Sequence, residues 1–469
     1  MLQHSASDQL RALSGGGVSA GELIAATIER RRRRDEELGA FSAVDDDAAQ
    51  AEAAAVDAGD RGGRLAGVPV SVKHSVATAR LSTAHGRRSD EVTADRDSPP
   101  VAIVRAQGAV LVGKTNVPVY LNGHQSSNAE FGVTRNPWDT ARSPGGSSGG
   151  AAAAVAAGMS AFDYGSDLAG SLRVPAAWCG LFGHKPSTGI VPKIGNLPWP
   201  VDGAIEPPAS AIGPMTRSAE DLELLVPLMV GVAGPDAVAW RIELPPPRAE
   251  RLDGLRVGLW LDDSACLADA ETRQSITRFA AALEHAGASV QEIVAPPGGG
   301  EEGQALFRRL QAAEVSHGFD DERFAAVAGS SGAWGEMVSA TFRDVADALE
   351  RRALVVERWR TEVFGAVDIV LCPAAPTAAP PLVDAHDGGP TIPFDGAAVD
   401  SDQVPAWSRV TSLPKLPTTV VPLGRGAVSG LPVGAQLVGP YLEDRTPLRV
   451  ARIAEAEGIV GYTPPPGWE

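Results

Sequence analysis

The chain is poor in cysteine: Cys179, Cys266 and Cys372 are the only three among 469 residues, odd in number and far apart. That argues against a disulfide framework or a cysteine-built metal cluster and fits a reducing, cytoplasmic setting. Long apolar runs are also missing. No window approaches the roughly 18 uninterrupted apolar residues of a membrane span, and the opening MLQHSASDQLRALSGG lacks the basic stretch and apolar core of a secretion signal. A soluble protein without a membrane partner is expected. Basic residues are outnumbered as well, 41 Lys and Arg against 58 Asp and Glu, for a formal net charge of −17. A field of that sign repels phosphate backbones, which argues against nucleic acid as a partner. The one basic run, Arg30 to Arg34, lies on a helical pattern set by Leu23, Ile24 and Ile28 and runs into Asp35, Glu36 and Glu37. It reads as a solvated helix face with local ion pairs.

The eight histidines form no H-E-x-x-H and no close pair, so a zinc hydrolase has nothing to build on. His184, in GHKP, reads as a hydrogen-bonded structural histidine. Three other patterns match only in letters. GAVLVGKT at 108–115 fits the phosphate-loop pattern, but its middle residues form a strand where a phosphate cradle needs a flexible loop. GGSSG at 145–149 fits a nucleophile elbow, yet the preceding RNPWDTARSP cannot be the strand that an elbow requires. Ser412-Leu-Pro-Lys415 fits S-x-x-K, a helical motif, with a proline in its interior.

What is present is a globular composition, 44% hydrophobic and 21% charged. Helical periodicity runs through 7–14, 19–38 and 46–58, and residues 1–64 read as a helical cover. From 65 to 469 strand and helix signals alternate. Strands are expected at Val68–Val72, Val110–Val112, Leu255–Leu259, Ser289–Ile293, Ile369–Cys372, Thr418–Pro422 and Val433–Val438, with helices over SPPVAIVRAQG and 270–286. This predicts an α/β fold: a single large domain built on a mixed, mostly parallel β-sheet covered by helices on both faces, with insertions around 240–252, 295–350 and 373–405.

The densest signal is residues 143–175, SPGGSSGGAAAAVAAGMSAFDYGSDLAGSLRVP, two serine-bearing glycine loops on either side of an alanine-rich helix. Glycines let backbone N–H groups approach a reacting group, so such loops suit an oxyanion site and acyl transfer. A serine hydroxyl needs a base, and a neutral lysine serves where burial lowers its pKa. Lys73 closes the apolar strand VPVSVK, which supplies that burial.

With GVPVSVK at 67–73, GKTNVP at 113–118, FGVTRNPWD at 131–139, SPGGSSGG at 143–150, SDLAGSLRVPAAWCGLFGHKP at 166–186, GPMTRSAEDL at 213–222 and GLPVGAQLVGP at 430–440, most of the chain resembles the amidase signature enzymes. These hydrolyse carboxylic amides through a Ser-cisSer-Lys triad. The resemblance implies Ser171 as nucleophile, Ser147 as proton relay after a cis bond from Gly146, and Lys73 as base. Ser147 and Ser171 stand 24 residues apart, as the family's serines do. The backbone N–H groups of Leu168, Ala169, Gly170 and Ser171 would form the oxyanion hole, with Asp167 and Arg173 holding the turn, each in need of a partner, and Ser148 capping the alanine helix. No cofactor and no metal are required.

The resemblance also implies a small-molecule amide substrate, a pocket formed by variable loops at 120–127 and 195–200, with Tyr120, Leu121 and Trp199, together with segments from the 300–400 region, and a homodimer through the N-terminal helices. Tyr120 and Trp199 read equally well as packing residues. Other outcomes share the signature: one component of an amidotransferase that works with partner subunits, a biosynthetic acyltransferase, and an inactive scaffold. Two positions depart from the family pattern, His74 where an aspartate is usual and Ala169 where a glycine is usual. His74 is expected to titrate near neutral pH, and Ala169 to restrict positive φ and narrow the hole.

Overall fold

Strands form where β-branched and apolar residues run together, and in the computed structural model, which describes all 469 residues, eleven of them join one sheet. In chain order they are β1 (Phe41–Ala43), β2 (Pro69–Lys73), β3 (Val110–Thr115), β4 (Phe162–Asp167), β5 (Phe182–Lys185), β6 (Ala211–Thr216), β7 (Arg256–Leu259), β8 (Ser289–Glu292), β9 (Ile369–Pro373), β10 (Thr418–Arg425) and β11 (Pro432–Val438). The spatial order is β1-β3-β2-β4-β6-β5-β10-β11-β9-β7-β8. Parallel pairing occurs in two blocks, β3-β2-β4 and β9-β7-β8. The strands between these blocks, and β1 at the edge, pair antiparallel.

Helices cover both faces of this mixed sheet. Val420 and Val421 are consecutive on β10 and so point to opposite sides. Val421 joins Leu222, Ile276, Phe279 and Leu448 from the helices Ala219–Met229, Ala270–His285 and Arg445–Ala456. Val420 joins Ala152, Val155, Ala176 and Ala177 from the helices Gly149–Ala156 and Arg173–Trp178.

All seven strands expected from sequence are present, within a few residues at their ends. Four went unread, β1 at the edge and three others, β4, β5 and β6, that form the antiparallel centre. Their sequences FDYGSD, FGHK and AIGPMT carry charges or an interior proline, yet every residue is buried. His184 shows how this is tolerated: its ring nitrogens contact Thr419 Oγ1 at 2.9 Å and Asp444 Oδ1 at 3.2 Å, satisfying a buried polar group.

The N-terminal helices Ala6–Ser14, Ala20–Leu38 and Asp46–Asp57 match their periodicity. A capping box between Ser19 and Glu22 starts the second, and Gly39 at φ 60° ends it. The basic run is not simply solvated, and here the sequence reading is corrected. Arg31 is 5% exposed, donates to Val112 O at 3.0 Å and pairs with Asp46, while Arg34 lies over the Trp468 ring at 3.9 Å. The run ties the helix to the sheet edge and to the C-terminus. GAVLVGKT is a strand, with Lys114 Nζ bound to Val76 O and, at 3.1 Å, Thr83 Oγ1. Residues 300–358 form four helices, Gly300–Ser316, Asp321–Ala328, Ala333–Val338 and Phe342–Arg358. No helix is long and apolar enough to cross a membrane.

Candidate active site

Lys73 ends β2, a strand buried along its whole length, and its side chain is 0% exposed. Its Nζ lies 2.6 Å from Ser147 Oγ and 2.9 Å from Ser166 Oγ. Desolvation lowers the amine to about 7 from its ordinary 10.5, although the carboxylates of Asp167 and Asp163 pull upward. Neither Ser166 nor Asp163 stood out in the sequence. Asp163, on β4, accepts from Ser71 Oγ at 2.6 Å and Thr115 Oγ1 at 3.1 Å, and burial raises its carboxyl to about 6.

Ser147 sits in a glycine loop pressed against neighbouring backbone. A Cβ on Gly146 would meet Gly123 O at 2.4 Å, so only glycine fits there, and the Gly146–Ser147 peptide is cis. Ser126, which the sequence did not flag, braces the loop by donating to Gly145 O at 3.0 Å and accepting from Gly149 N at 2.9 Å. Ser148 occupies the N-cap position of the alanine helix, but its Oγ donates to Ser166 O at 3.3 Å and gives the helix no cap bond. The capping expectation is therefore corrected. Its N–H donates to Ser171 O at 3.0 Å and links the two glycine loops.

The second loop turns at residues 167–173. Asp167 and Arg173 are both 0% exposed in their side chains, and the partner each was expected to need is the other, Arg173 Nε to Asp167 Oδ2 at 2.9 Å and Nη2 to Oδ1 at 2.8 Å. Burial alone would raise the Asp167 carboxyl; the Arg173 charge and hydrogen bonds hold it far below the usual range. Arg173 also donates to Ser408 O, Thr411 Oγ1, Gln436 Oε1 and Ser412 Oγ, so its donors are used inside the protein.

Asp167 Oδ1 accepts the Gly170 N–H at 2.8 Å, which takes that group out of the set expected to face an oxyanion. The N–H groups of Leu168, Ala169 and Ser171 have no acceptor within the protein. Gly170 is at φ 103°, and a Cβ there would lie 2.6 Å from Ser408 Oγ. Ala169 has no positive φ, so its methyl group does not strain the turn. It packs with Leu168 beside Leu306, Phe307 and Leu310.

His74 departs from its sequence expectation too. It is 0% exposed, with the Phe131 ring edge-on at 4.9 Å and neither ring nitrogen hydrogen-bonded. Desolvation, with Lys114 and Arg88 adding to it, lowers the imidazole to about 3, so it stays neutral across the physiological range.

Ser171 is half-buried and its Oγ makes no hydrogen bond in the protein, including to Ser147 Oγ. Both serines open onto one cavity of about 990 Å³, also lined by Ser166, Leu168 and Ala169. Tyr120, Leu121 and Trp199 line it as well. A further wall is the helical segment 308–337, inside the 300–400 region expected to contribute, although the sequence pattern did not say which helix faces the cavity. Gly318 lets that wall close on the 195–200 loop, since a Cβ would overlap Pro198 O, and Trp199 lies against His317 with ring centroids 4.1 Å apart.

A buried lysine with its pKa lowered to about 7, touching a serine beside a half-buried second serine and three free N–H groups, is equipment for nucleophilic attack on a carbonyl. Known proteins are similar. The Amidase family model matches residues 22–448. The first subunit of a glutamyl-tRNA(Gln) amidotransferase from Rubrobacter xylanophilus is 33% identical over 98% of this chain and 99% of its own length. Among solved structures, a bacterial aryl acylamidase of the amidase signature enzymes superposes with TM-score 0.83 at 26% identity, over 97% of this chain and 96% of that one. A 6-aminohexanoate cyclic dimer hydrolase in complex with its substrate does so with TM-score 0.81 at 26% identity, over 97% of each chain. The chain therefore belongs to the amidase family, as an enzyme of the amidase signature type.

Proposed function

We propose that the protein hydrolyses a small carboxylic amide to the acid and ammonia or an amine, through an acyl-enzyme on Ser171. The observation that carries this reading is the 2.6 Å contact between a fully buried Lys73 Nζ and Ser147 Oγ at the floor of the cavity that Ser171 shares. A lysine lowered to about 7 is half neutral there, with a lone pair for the Ser147 proton.

In the first half-reaction Ser171 Oγ forms a bond to the amide carbon, its proton passes to Ser147 Oγ, and the Ser147 proton passes to Lys73 Nζ. The negative charge on the carbonyl oxygen falls to the N–H groups of Leu168, Ala169 and Ser171. The carbon–nitrogen bond then breaks, the leaving nitrogen takes a proton from Ser147, and Lys73 returns one to Ser147. Water attacks the ester by the same relay, the acid leaves and Ser171 regains its proton. Asp167 and Arg173 act by fixing the turn.

The test is a panel of aryl, aliphatic and amino-acid amides given to wild type and Ser171→Ala, with ammonia or amine release and intact mass followed together. Turnover or an acyl adduct in wild type alone supports the reading. Neither one, in folded protein across pH, removes it.

The base also sets a pH dependence. Lys73 acts unprotonated, so kcat/KM should rise with pH through an apparent pKa near 7 and level off above it. His74, lowered to about 3, adds no second limb near neutrality. A profile flat from pH 5 to 9 would count against Lys73 as base.

A second reading has one observation in its favour, the 33% identity to one component of an amidotransferase over nearly the whole chain. Under it, the same acyl-enzyme would form from glutamine and the ammonia would go to a partner. Glutamine turnover that requires copurified partner proteins would select it.

A further inference from the structure

Three arginines line the cavity, and two of them are spoken for: Arg308 and Arg409 both pair with Asp402. Arg323 is different. It has no carboxylate partner, and its guanidinium donates no hydrogen bond. It is held by ring faces, with Cζ 3.1 Å from the centroid of Tyr120 and 4.1 Å from that of Phe319. A guanidinium held against ring faces keeps its charge, and with no hydrogen bond made its N–H donors remain available to a carboxylate.

The surroundings fix this group in place. Tyr120 and the next residue, Leu121, have φ of 55° and 59°, a backbone region that bulky side chains rarely adopt and that gathers at ligand clamps. The Tyr120 hydroxyl accepts from Arg87 Nη1, and His85 meets the ring edge-on at 5.0 Å. The nearby carboxylate, Asp90, is already within 3.3 Å of His85 Nδ1 and 3.7 Å of Arg87 Nε. Asp320 accepts the Arg323 backbone N–H at 2.7 Å as a helix cap. The other acids of the cavity are engaged elsewhere, Glu314 by the N–H groups of Ala209 and Ser210 and Asp387 by that of Gly389. Arg323 is therefore the one arginine of the cavity without a carboxylate partner, in a protein whose net charge is −17.

We infer that the Arg323 guanidinium, held against the rings of Tyr120 and Phe319, receives a carboxylate on the substrate, so that the preferred substrates are amides bearing a carboxylate remote from the scissile bond. The inference rests on the hydrolase reading for its substrate but not for its anion site, and two measurements separate them. Rates are compared for succinamate, adipamate and suberamate, for the alkanamides of the same lengths, and for the matching ω-amino amides. The best monoamide should exceed its alkanamide in kcat/KM by about 30-fold, the scale of a charge-assisted contact. Arg323→Gln should collapse that ratio to near one, and Arg323→Lys should retain part of it.

Independently of turnover, calorimetry with the three monoamides on Ser171→Ala should detect binding that Arg323→Gln, added to it, weakens by about 10-fold or more. Turnover without preference for the carboxylate, a preference for the ω-amino amide, absence of binding, or binding indifferent to Arg323→Gln each overturns the inference. Arg323-dependent binding with no amide hydrolysed and no acyl adduct leaves the anion site standing and removes the hydrolase reading instead.

Discussion

Lys73→Met is expected to lower kcat/KM on any amide the wild type turns over by about 10⁴-fold or more, the scale seen when one member of a proton-relay unit is removed. The same variant should melt at least as high as wild type at pH 7. The two effects share a cause. Lys73 is fully buried, and desolvation takes its amine to about 7 from 10.5. Between those values the unfolded chain holds the proton and the native protein does not, so stability falls as pH drops from 10.5 to 7 and is level below. By pH 7 this costs native protein up to about 5 kcal/mol as an upper bound, at 1.36 kcal/mol per unit.

Methionine removes that cost and fills similar space, while Ser147 and Ser166 each lose a partner, a loss of roughly 1–3 kcal/mol per buried group. The thermal advantage of Lys73→Met should accordingly be largest near pH 7 and shrink or reverse toward pH 10. Thermal melts at both pH values, alongside kcat/KM, check the pair. A variant that keeps more than a hundredth of wild-type activity would remove Lys73 as the base.

Arg173→Met is expected to destabilise the protein by ~3–5 kcal/mol, because it leaves the Asp167 carboxylate buried with no cation. Asp167 is held ionised by Arg173, and both side chains are 0% exposed. The substitution also strips donors from Thr411 and Ser412, on the helix Ala406–Ser412, and from Gln436 on β11. Arg173→Lys should recover little, since a point-like ammonium cannot bridge both carboxylate oxygens and reach these acceptors as well. Adding Asp167→Asn to Arg173→Met should restore part of the loss, and urea unfolding of the four-member cycle measures that coupling. A single-variant loss below about 1 kcal/mol would mean that the buried charge is relieved some other way.

Seven of the eleven strands were legible because most of them carry short apolar runs, and such runs need no partner to declare themselves. β4, β5 and β6 were not, since what buries Asp163, Asp167, His184 and Lys185 is hydrogen bonding or charge supplied from elsewhere in the chain. Motif residues gave the site's parts: Lys73, Ser147 and the 167–173 turn come together as spacing and resemblance implied. Local letters failed where environment decides. Histidine at 74 suggests titration near neutrality, but full burial beside Phe131 prevents it. Alanine at 169 suggests strain, but the turn places its one positive φ at Gly170. Gly170 also reads as an oxyanion donor, although Asp167 takes its N–H. For the cavity's helical wall the resemblance pointed no more closely than to residues 300–400, because helical periodicity in 300–338 does not say which stripe meets solvent in a pocket and which meets it outside.

That wall has a consequence for how the protein can change. No hydrogen bond to Lys73, Ser147, Asp167 or Arg173 originates in residues 300–338, yet those residues supply Arg308, Gln311, Phe319, Arg323, Trp334 and others to the cavity. The segment meets the loop that carries Trp199 through a close approach at Gly318. Under the proposed reading, reaction chemistry and substrate choice are thus written in two paragraphs of one text, joined where Leu306, Phe307 and Leu310 pack on Leu168 and Ala169, and substitutions elsewhere in the second should leave the grammar of the first intact.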